Sequence, residues 1–228
     1  MLCRKGEEFL LPGTKDITPL PSASDIFLLP DRYAVGMDPF NGKVNYLDGL
    51  PVAAFAPPGY TLTGTSAYIS DAKSCALPLF AYGAVGYAQG QFWICAKQVD
   101  TDPRQQFHNI SAQKIEKGVG KMLSRLPENR LVHHLSNCAL TYFCPAAKNL
   151  FLGRFEAPLP TAKNCNANCV GCISKQPEDS EFPSTQDRIA FTPSAREISQ
   201  IMFEHCKSAA KPIYSFGQGC EGEPLLEA

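Results

Sequence analysis

Residues 165–172 read Cys-Asn-Ala-Asn-Cys-Val-Gly-Cys, which gives a Cys-x3-Cys-x2-Cys spacing. In a helix or a tight loop, this spacing predicts that the three thiols face one concave pocket. Soft thiolate ligands suit iron–sulfur clusters. A four-iron cluster held by three cysteines keeps one iron open for another ligand. Cys165, Cys169 and Cys172 are therefore predicted to hold a [4Fe–4S] cluster at a site suited to chemistry.

The segments on both sides of the cysteines predict a βαβ unit. Residues 149–157 can form a strand that leads into the cysteine loop. Thr192-Pro193-Ser194 opens a helix, with a hydroxyl as the N-cap, and Ile213-Tyr214-Ser215-Phe216 reads as a short buried strand. Two strands joined by a helix are predicted to be parallel, with a right-handed crossover.

A second segment, residues 217–224, is predicted to lie at the same sheet edge as the cysteine loop. It reads Gly-Gln-Gly-Cys-Glu-Gly-Glu-Pro and follows the second strand. Sites in such sheets form at the carboxyl ends of the strands. Glycines let a ligand approach the backbone closely, and Glu221 and Glu223 add acceptors for an ammonium group. The two segments are thus expected to meet in space.

The cysteine triplet followed by a helix, a strand and Gly-Glu-Pro resembles the opening of the radical S-adenosylmethionine (radical SAM) superfamily. The resemblance implies that a [4Fe–4S] cluster binds S-adenosyl-L-methionine through an open iron. It further implies reductive cleavage to a 5′-deoxyadenosyl radical that abstracts a hydrogen atom from a substrate, here unknown. An electron donor such as a flavodoxin or ferredoxin is the implied partner.

The same resemblance assigns residues to roles and sets the extent of the match. The implied cofactor-binding residues are Gly219, Glu221, Gly222, Glu223 and Pro224. The match covers roughly residues 150–228 and departs from many family members at the position before the third cysteine, which is glycine rather than aromatic. Because the sequence ends directly after the second motif, it is expected to hold only the first two strands of the family's partial (β/α)6 barrel and to be an inactive fragment.

Residues 1–110 are predicted to form a mostly β domain, because ten prolines and ten glycines forbid long helices there. Asn41-Gly42 predicts a hairpin turn. The apolar run from Phe92 to Ala96 predicts a central strand covered on both faces. The predicted strands are Ile26–Leu29, Tyr33–Met37, Val52–Phe55, Leu79–Val85 and Phe92–Val99.

Residues 111–148 are predicted to form a helical connection. Apolar residues recur at three- and four-residue spacing from Ser111 to Leu126, and a second helix is expected from Glu128 towards Tyr142. The predicted fold class is α+β, with a β domain at 1–110, helices at 111–148 and the start of a radical SAM core at 149–228.

Other assignments of the cysteines remain open. Cys169 and Cys172 could form a zinc knuckle completed by Cys220, and a fully ligated cluster would make the protein an electron carrier. Cys138 and Cys144 could hold an auxiliary metal or cluster, with His134 on the same helical face as Cys138, or they could be buried free thiols.

Charge and composition restrict the possible partners. The net charge is −1, which favours neither nucleic acid nor an anionic membrane, and the longest nearly apolar run is too short to span a bilayer. Ten cysteines without an export signal predict a reducing compartment and metal ligation over disulfides. The protein is therefore expected in the cytoplasm.

Overall fold

The computed structural model describes residues 1–38, 40–107 and 110–227. His108 and Asn109, beside the predicted domain boundary, and Ala228, the last residue of the predicted core, lie outside the described residues. The chain divides into two compact units, Met1–Ala76 with Phe80–His108 and Leu77–Leu79 with Asn109–Ala228. The predicted helical connection and the predicted core therefore belong to one unit, and the fold is a mixed α+β fold.

The N-terminal unit is mostly β, as predicted. Its strands are β1 (Cys3–Lys5), β2 (Glu8–Leu10), β3 (Thr18–Pro19), β4 (Asp25–Leu28), β5 (Tyr33–Met37), β6 (Val44–Tyr46), β7 (Val52–Phe55), β8 (Tyr60–Leu62), β9 (Thr65–Ser66), β10 (Tyr68–Ile69), β11 (Gly83–Ala88), β12 (Gln91–Ile94) and β13 (Ala96–Gln98), and a 3-10 turn spans Pro103–Gln105. Eight of these strands form one antiparallel sheet with the order β2-β1-β9-β11-β12-β3, in which β7 also pairs with β11 and β4 pairs with β7. Two smaller antiparallel sheets have the orders β10-β5-β6 and β13-β8.

The predicted hairpin is confirmed. β5 and β6 pair antiparallel across the turn that contains Asn41-Gly42, and Gly42 has a positive φ of 69°. The predicted strand from Leu79 was wrong at its start, because β11 begins at Gly83. The predicted strand Phe92–Val99 was also wrong as one element: it breaks at Cys95 into β12 and β13, which pair with different neighbours. Phe92 is 48% exposed, so β12 is not covered on both faces.

The C-terminal unit contains four helices and two short strands among its described residues. The predicted first two helices are confirmed, since α1 spans Ala112–Arg125 and α2 spans Arg130–Leu140. A helix that the sequence analysis missed, α3, spans Pro145–Phe151. Proline at the first turn favours a helix start. The predicted strand from residue 149 was therefore wrong at its beginning, and β14 is limited to Glu156–Pro158.

The βαβ unit is present with parallel strands. β14 pairs parallel with β15 (Ile213–Ser215), in register from Glu156 opposite Ile213. α4 (Ala195–Cys206) lies between them in sequence, and the predicted hydroxyl N-cap is Ser194, which forms a capping box with Glu197. The prediction that β15 is buried was wrong at Ile213, which is 47% exposed.

One core cluster holds this unit together. It draws buried apolar side chains from α1, α2, α3, α4 and β14. Cys138 and Cys220 belong to it, and Cys144 packs against it. Burial of this set supplies the main stabilisation of the region that carries the cysteine loop.

Among the residues that the structure describes, no helix has the length and apolar character needed to cross a bilayer.

Candidate functional site

The cysteine triplet lies in the loop that follows β14. Residues 159–194 are all described and contain no helix or strand. Cys165 and Cys169 are exposed and Cys172 is half-buried, and all three line one surface cavity of about 170 Å³. The structure thus brings the three thiols to a common cavity, held by loop conformation rather than by a helix.

Cys172 has the most structured surroundings of the three. Its Sγ lies 3.2 Å from the Arg188 guanidinium, which donates a hydrogen bond to it, and 3.9 Å from the Ser174 hydroxyl. Burial acts to raise the pKa of Cys172. The backbone amides of Ser174 and Lys175, the Ser174 hydroxyl and the Arg188 charge together outweigh burial and lower it. Cys172 is thus predisposed to the thiolate form that binds metals.

The glycine-rich segment after β15 lies directly against the start of the cysteine loop, as predicted. The Gly222 amide donates to the Ala162 carbonyl at 2.7 Å, and the Glu223 amide donates to the Asn164 carbonyl at 2.8 Å. Asn164 immediately precedes Cys165. These two backbone hydrogen bonds join the two segments at the carboxyl edge of the βαβ unit.

Glu221 is a structural residue in this junction. Its side chain is buried, with the residue 4% exposed. One carboxylate oxygen accepts from the Thr161 amide at 2.6 Å, the Ala162 amide at 3.1 Å and the Thr161 hydroxyl at 3.2 Å. The other oxygen accepts from the Gln218 amide at 2.7 Å. Glu221 was expected to accept a hydrogen bond from a ligand's ammonium group, but its carboxylate already accepts four hydrogen bonds from the protein itself.

The glycines of the segment permit close packing. A Cβ on Gly222 would lie 1.8 Å from the Asn164 carbonyl oxygen, and one on Gly219 would lie 2.5 Å from the Ile173 side chain. Glu223 and Pro224 are partly exposed, and the Glu223 carboxylate accepts from the Leu225 amide at 3.1 Å. Pro224 begins a 3-10 turn, Pro224–Glu227. Of the two predicted ammonium acceptors, Glu223 is the one that remains at the surface.

A second ligand group lies in the core of the same unit. His134, Cys138 and Cys220 place their ligand atoms within 4.8 Å of one another, the one such group of three found in the described part of the chain. The Cys138 Sγ is 3.6 Å from His134 Nε2. Hydrogen bonding to Cys138 and burial raise the pKa of the Cys220 thiol.

The position of Cys220 changes one of the sequence-based alternatives. The sequence left open a zinc knuckle of Cys169 and Cys172 that Cys220 could complete. In the structure Cys220 lies with His134 and Cys138 of α2 instead. The sequence indicated two of the three ligands of this group, because His134 and Cys138 are spaced i, i+4 on a predicted helix. The contribution of Cys220 depends on the fold of the segment after β15.

No protein-family model, curated protein or solved structure matches this chain.

Proposed function

We propose that this protein is a radical SAM iron–sulfur protein, in which Cys165, Cys169 and Cys172 hold a [4Fe–4S] cluster. The supporting observation is the junction at the carboxyl edge of the βαβ unit. A cavity lined by three cysteines lies beside a Gly-Glu-Pro segment that is hydrogen-bonded to the residues preceding Cys165. In this proposal β14, α4 and β15 begin a partial (β/α)6 barrel.

The donor set fits a cluster of this type. Three thiols line one cavity, and two of them are exposed, so that iron and sulfide can reach them. A cubic cluster binds each cysteine through a different iron, so its ligands need not approach as closely as ligands of a single ion. Arg188, 3.2 Å from the Cys172 sulfur, would offset part of the negative charge of the thiolates.

When bound, the cluster and S-adenosyl-L-methionine would supply an electron transfer and a carbon-centred radical for hydrogen abstraction. The residues of this chain bind and orient these groups. Glu221 holds the loop after β14 against the segment after β15, and Gly222 allows the contact with Asn164. Glu223 is the acceptor we assign to the amino group of the methionine moiety. The substrate is unassigned, and a flavodoxin- or ferredoxin-like protein would deliver the electron in the cytoplasm.

Anaerobic reconstitution with iron and sulfide tests the proposal. We expect about four irons per chain. Cys169→Ala should abolish uptake, because it removes one of three ligands. Cys206→Ala is the matched control, since Cys206 is an exposed thiol on α4, and it should retain the wild-type iron content. Equal iron content in Cys169→Ala and wild type would contradict the proposal.

A further inference from the structure

The buried group of His134, Cys138 and Cys220 has no role in the proposed cluster site. Cys138 is 2% exposed and Cys220 is 6% exposed, and His134 is half-buried. Their ligand atoms are one imidazole nitrogen and two sulfurs, all within 4.8 Å of one another. This combination of imidazole and thiolate is the donor set that zinc prefers.

The spacing of the His134 and Cys138 ligand atoms matches tetrahedral zinc. Bonds of about 2.3 Å to sulfur and about 2.0–2.1 Å to nitrogen, at a tetrahedral angle, place the two ligand atoms about 3.6 Å apart. Cys138 Sγ and His134 Nε2 are 3.6 Å apart. The i, i+4 spacing on α2 fixes this pair independently of any metal, because residues four apart share a helix face.

Cys144 lies beside the group in the fold, but its sulfur is not among the ligand atoms that lie within 4.8 Å of one another. The Cys144 amide donates to the Cys138 carbonyl at 2.9 Å, and Cys144 packs against the core cluster that contains Cys138 and Cys220. Structural zinc sites have four ligands and exclude solvent. The group itself supplies three of these four ligands.

We propose that His134, Cys138 and Cys220 bind a zinc ion, which fastens the segment after β15 to helix α2. Cys220 immediately precedes Glu221, whose carboxylate holds Thr161 and Ala162. Zinc at this site therefore fixes the backbone against which the cysteine loop is placed. Because the metal binds the folded arrangement, its binding free energy stabilises the fold.

The zinc group and the proposed cluster site share no residue. Metal analysis of variants therefore tests each site separately. The full chain, purified with a thiol reductant and without chelator, should contain about one zinc per chain. The double variant Cys138→Ala/Cys220→Ala should lose this zinc and still take up iron on anaerobic reconstitution. The triple variant Cys165→Ala/Cys169→Ala/Cys172→Ala should retain the zinc and lose the iron. The control Cys206→Ala should retain both metals.

A second variant keeps the test valid if the double variant does not fold. His134→Ala removes a half-buried ligand, and circular dichroism can establish that the helices remain. Removal of a direct ligand should weaken zinc binding at least about a hundredfold in competition with a chromophoric chelator, more than the loss of an outer-shell partner. In the Cys165→Ala/Cys169→Ala/Cys172→Ala background, cobalt added to metal-free protein should give thiolate-to-metal absorption, and His134→Ala added to that background should raise the cobalt concentration needed to reach it at least about a hundredfold.

Three results would overturn the proposal. The first is folded wild-type protein that binds no zinc. The second is zinc that is retained in the folded double variant and lost in the triple variant, which would place it in the cysteine loop. The third is a Cys138–Cys220 disulfide in protein isolated under reducing conditions.

Discussion

The two cysteine groups of the C-terminal unit use the same type of ligand in opposite surroundings. Cys165 and Cys169 are exposed in an irregular loop, whereas Cys138 and Cys220 are buried in a core built largely of helices. The loop leaves two of its thiols open to solvent, while the core surrounds both of its thiols with packed side chains. Burial and support, more than residue type, separate a site suited to chemistry from one suited to structure.

The two groups are connected through four consecutive residues. Cys220 contributes to the buried group, and Glu221, Gly222 and Glu223 bond to the residues that lead into the cysteine loop.

The largest expected difference between the groups is in thiol reactivity. In metal-free, folded protein, iodoacetamide should modify Cys165 and Cys169 about a thousandfold faster than Cys138 and Cys220, or more. Buried thiols react only after local or global opening, and opening of a core costs several kcal/mol. Peptide mass spectrometry over time measures each rate, with the exposed Cys206 as the internal reference. Similar rates at Cys138 and Cys165 would show that the core position is not protected.

The next effect concerns the connection between the groups. Gly222→Ala should lower the free energy of unfolding by about 3 kcal/mol, because the added methyl would meet the Asn164 carbonyl. Gly171→Ala is the matched control, since a Cβ there has no neighbour within 4 Å, and it should have little effect. Urea unfolding measures both variants. Equal stability of the two variants would mean that the segments do not pack as described.

The ion pair between Arg130 and Glu197 joins α2 to α4 and involves no residue of the cysteine loop. Glu197 on α4 accepts two hydrogen bonds from the Arg130 guanidinium at the start of α2, both at 2.8 Å. The Arg130 hydrogen bonds are the main cause that lowers the pKa of Glu197 from 4.5 to about 2. The folded-state pKa lies below the unfolded value, so the stabilisation is present at pH 7 and is lost as the pH falls from about 4.5 through about 2.

Glu197→Gln should therefore lower the free energy of unfolding by about 2 kcal/mol at pH 7. The difference from wild type should shrink as the pH falls below about 4.5 and should disappear once the pH is below the folded-state pKa of about 2. Glu204→Gln, on the same helix but paired with the exposed Arg125 and Lys207, should lose less than about 1 kcal/mol. Labelling of Cys138 should accelerate in Glu197→Gln while that of Cys165 stays unchanged. A pH-independent loss would argue against the ion pair.

The smallest expected effect lies within the loop. Arg188→Gln removes a positive charge 3.2 Å from the Cys172 sulfur, so the pKa of Cys172 should rise and its labelling at pH 7 should slow. The pH profile of Cys172 labelling should move to higher pH. An unchanged Cys172 profile would show that Arg188 does not stabilise the thiolate.

Local sequence patterns predicted the local elements well. The apolar spacing in α1, the Ser194–Glu197 cap of α4 and the Asn41-Gly42 turn each depend on interactions within a few residues. The same local reasoning failed where a distant partner decides. The Phe92–Val99 run divides at Cys95 because its two parts pair with different strands.

The parallel βαβ unit and the meeting of the cysteine loop with the Gly-Glu-Pro segment could be predicted from the sequence, because chain order and strand polarity impose these relations. The burial of Glu221 under four hydrogen bonds and the position of Cys220 beside His134 and Cys138 are visible only in the folded chain. Those contacts depend on which loops pack against the core, and residues far apart in the chain settle that packing together.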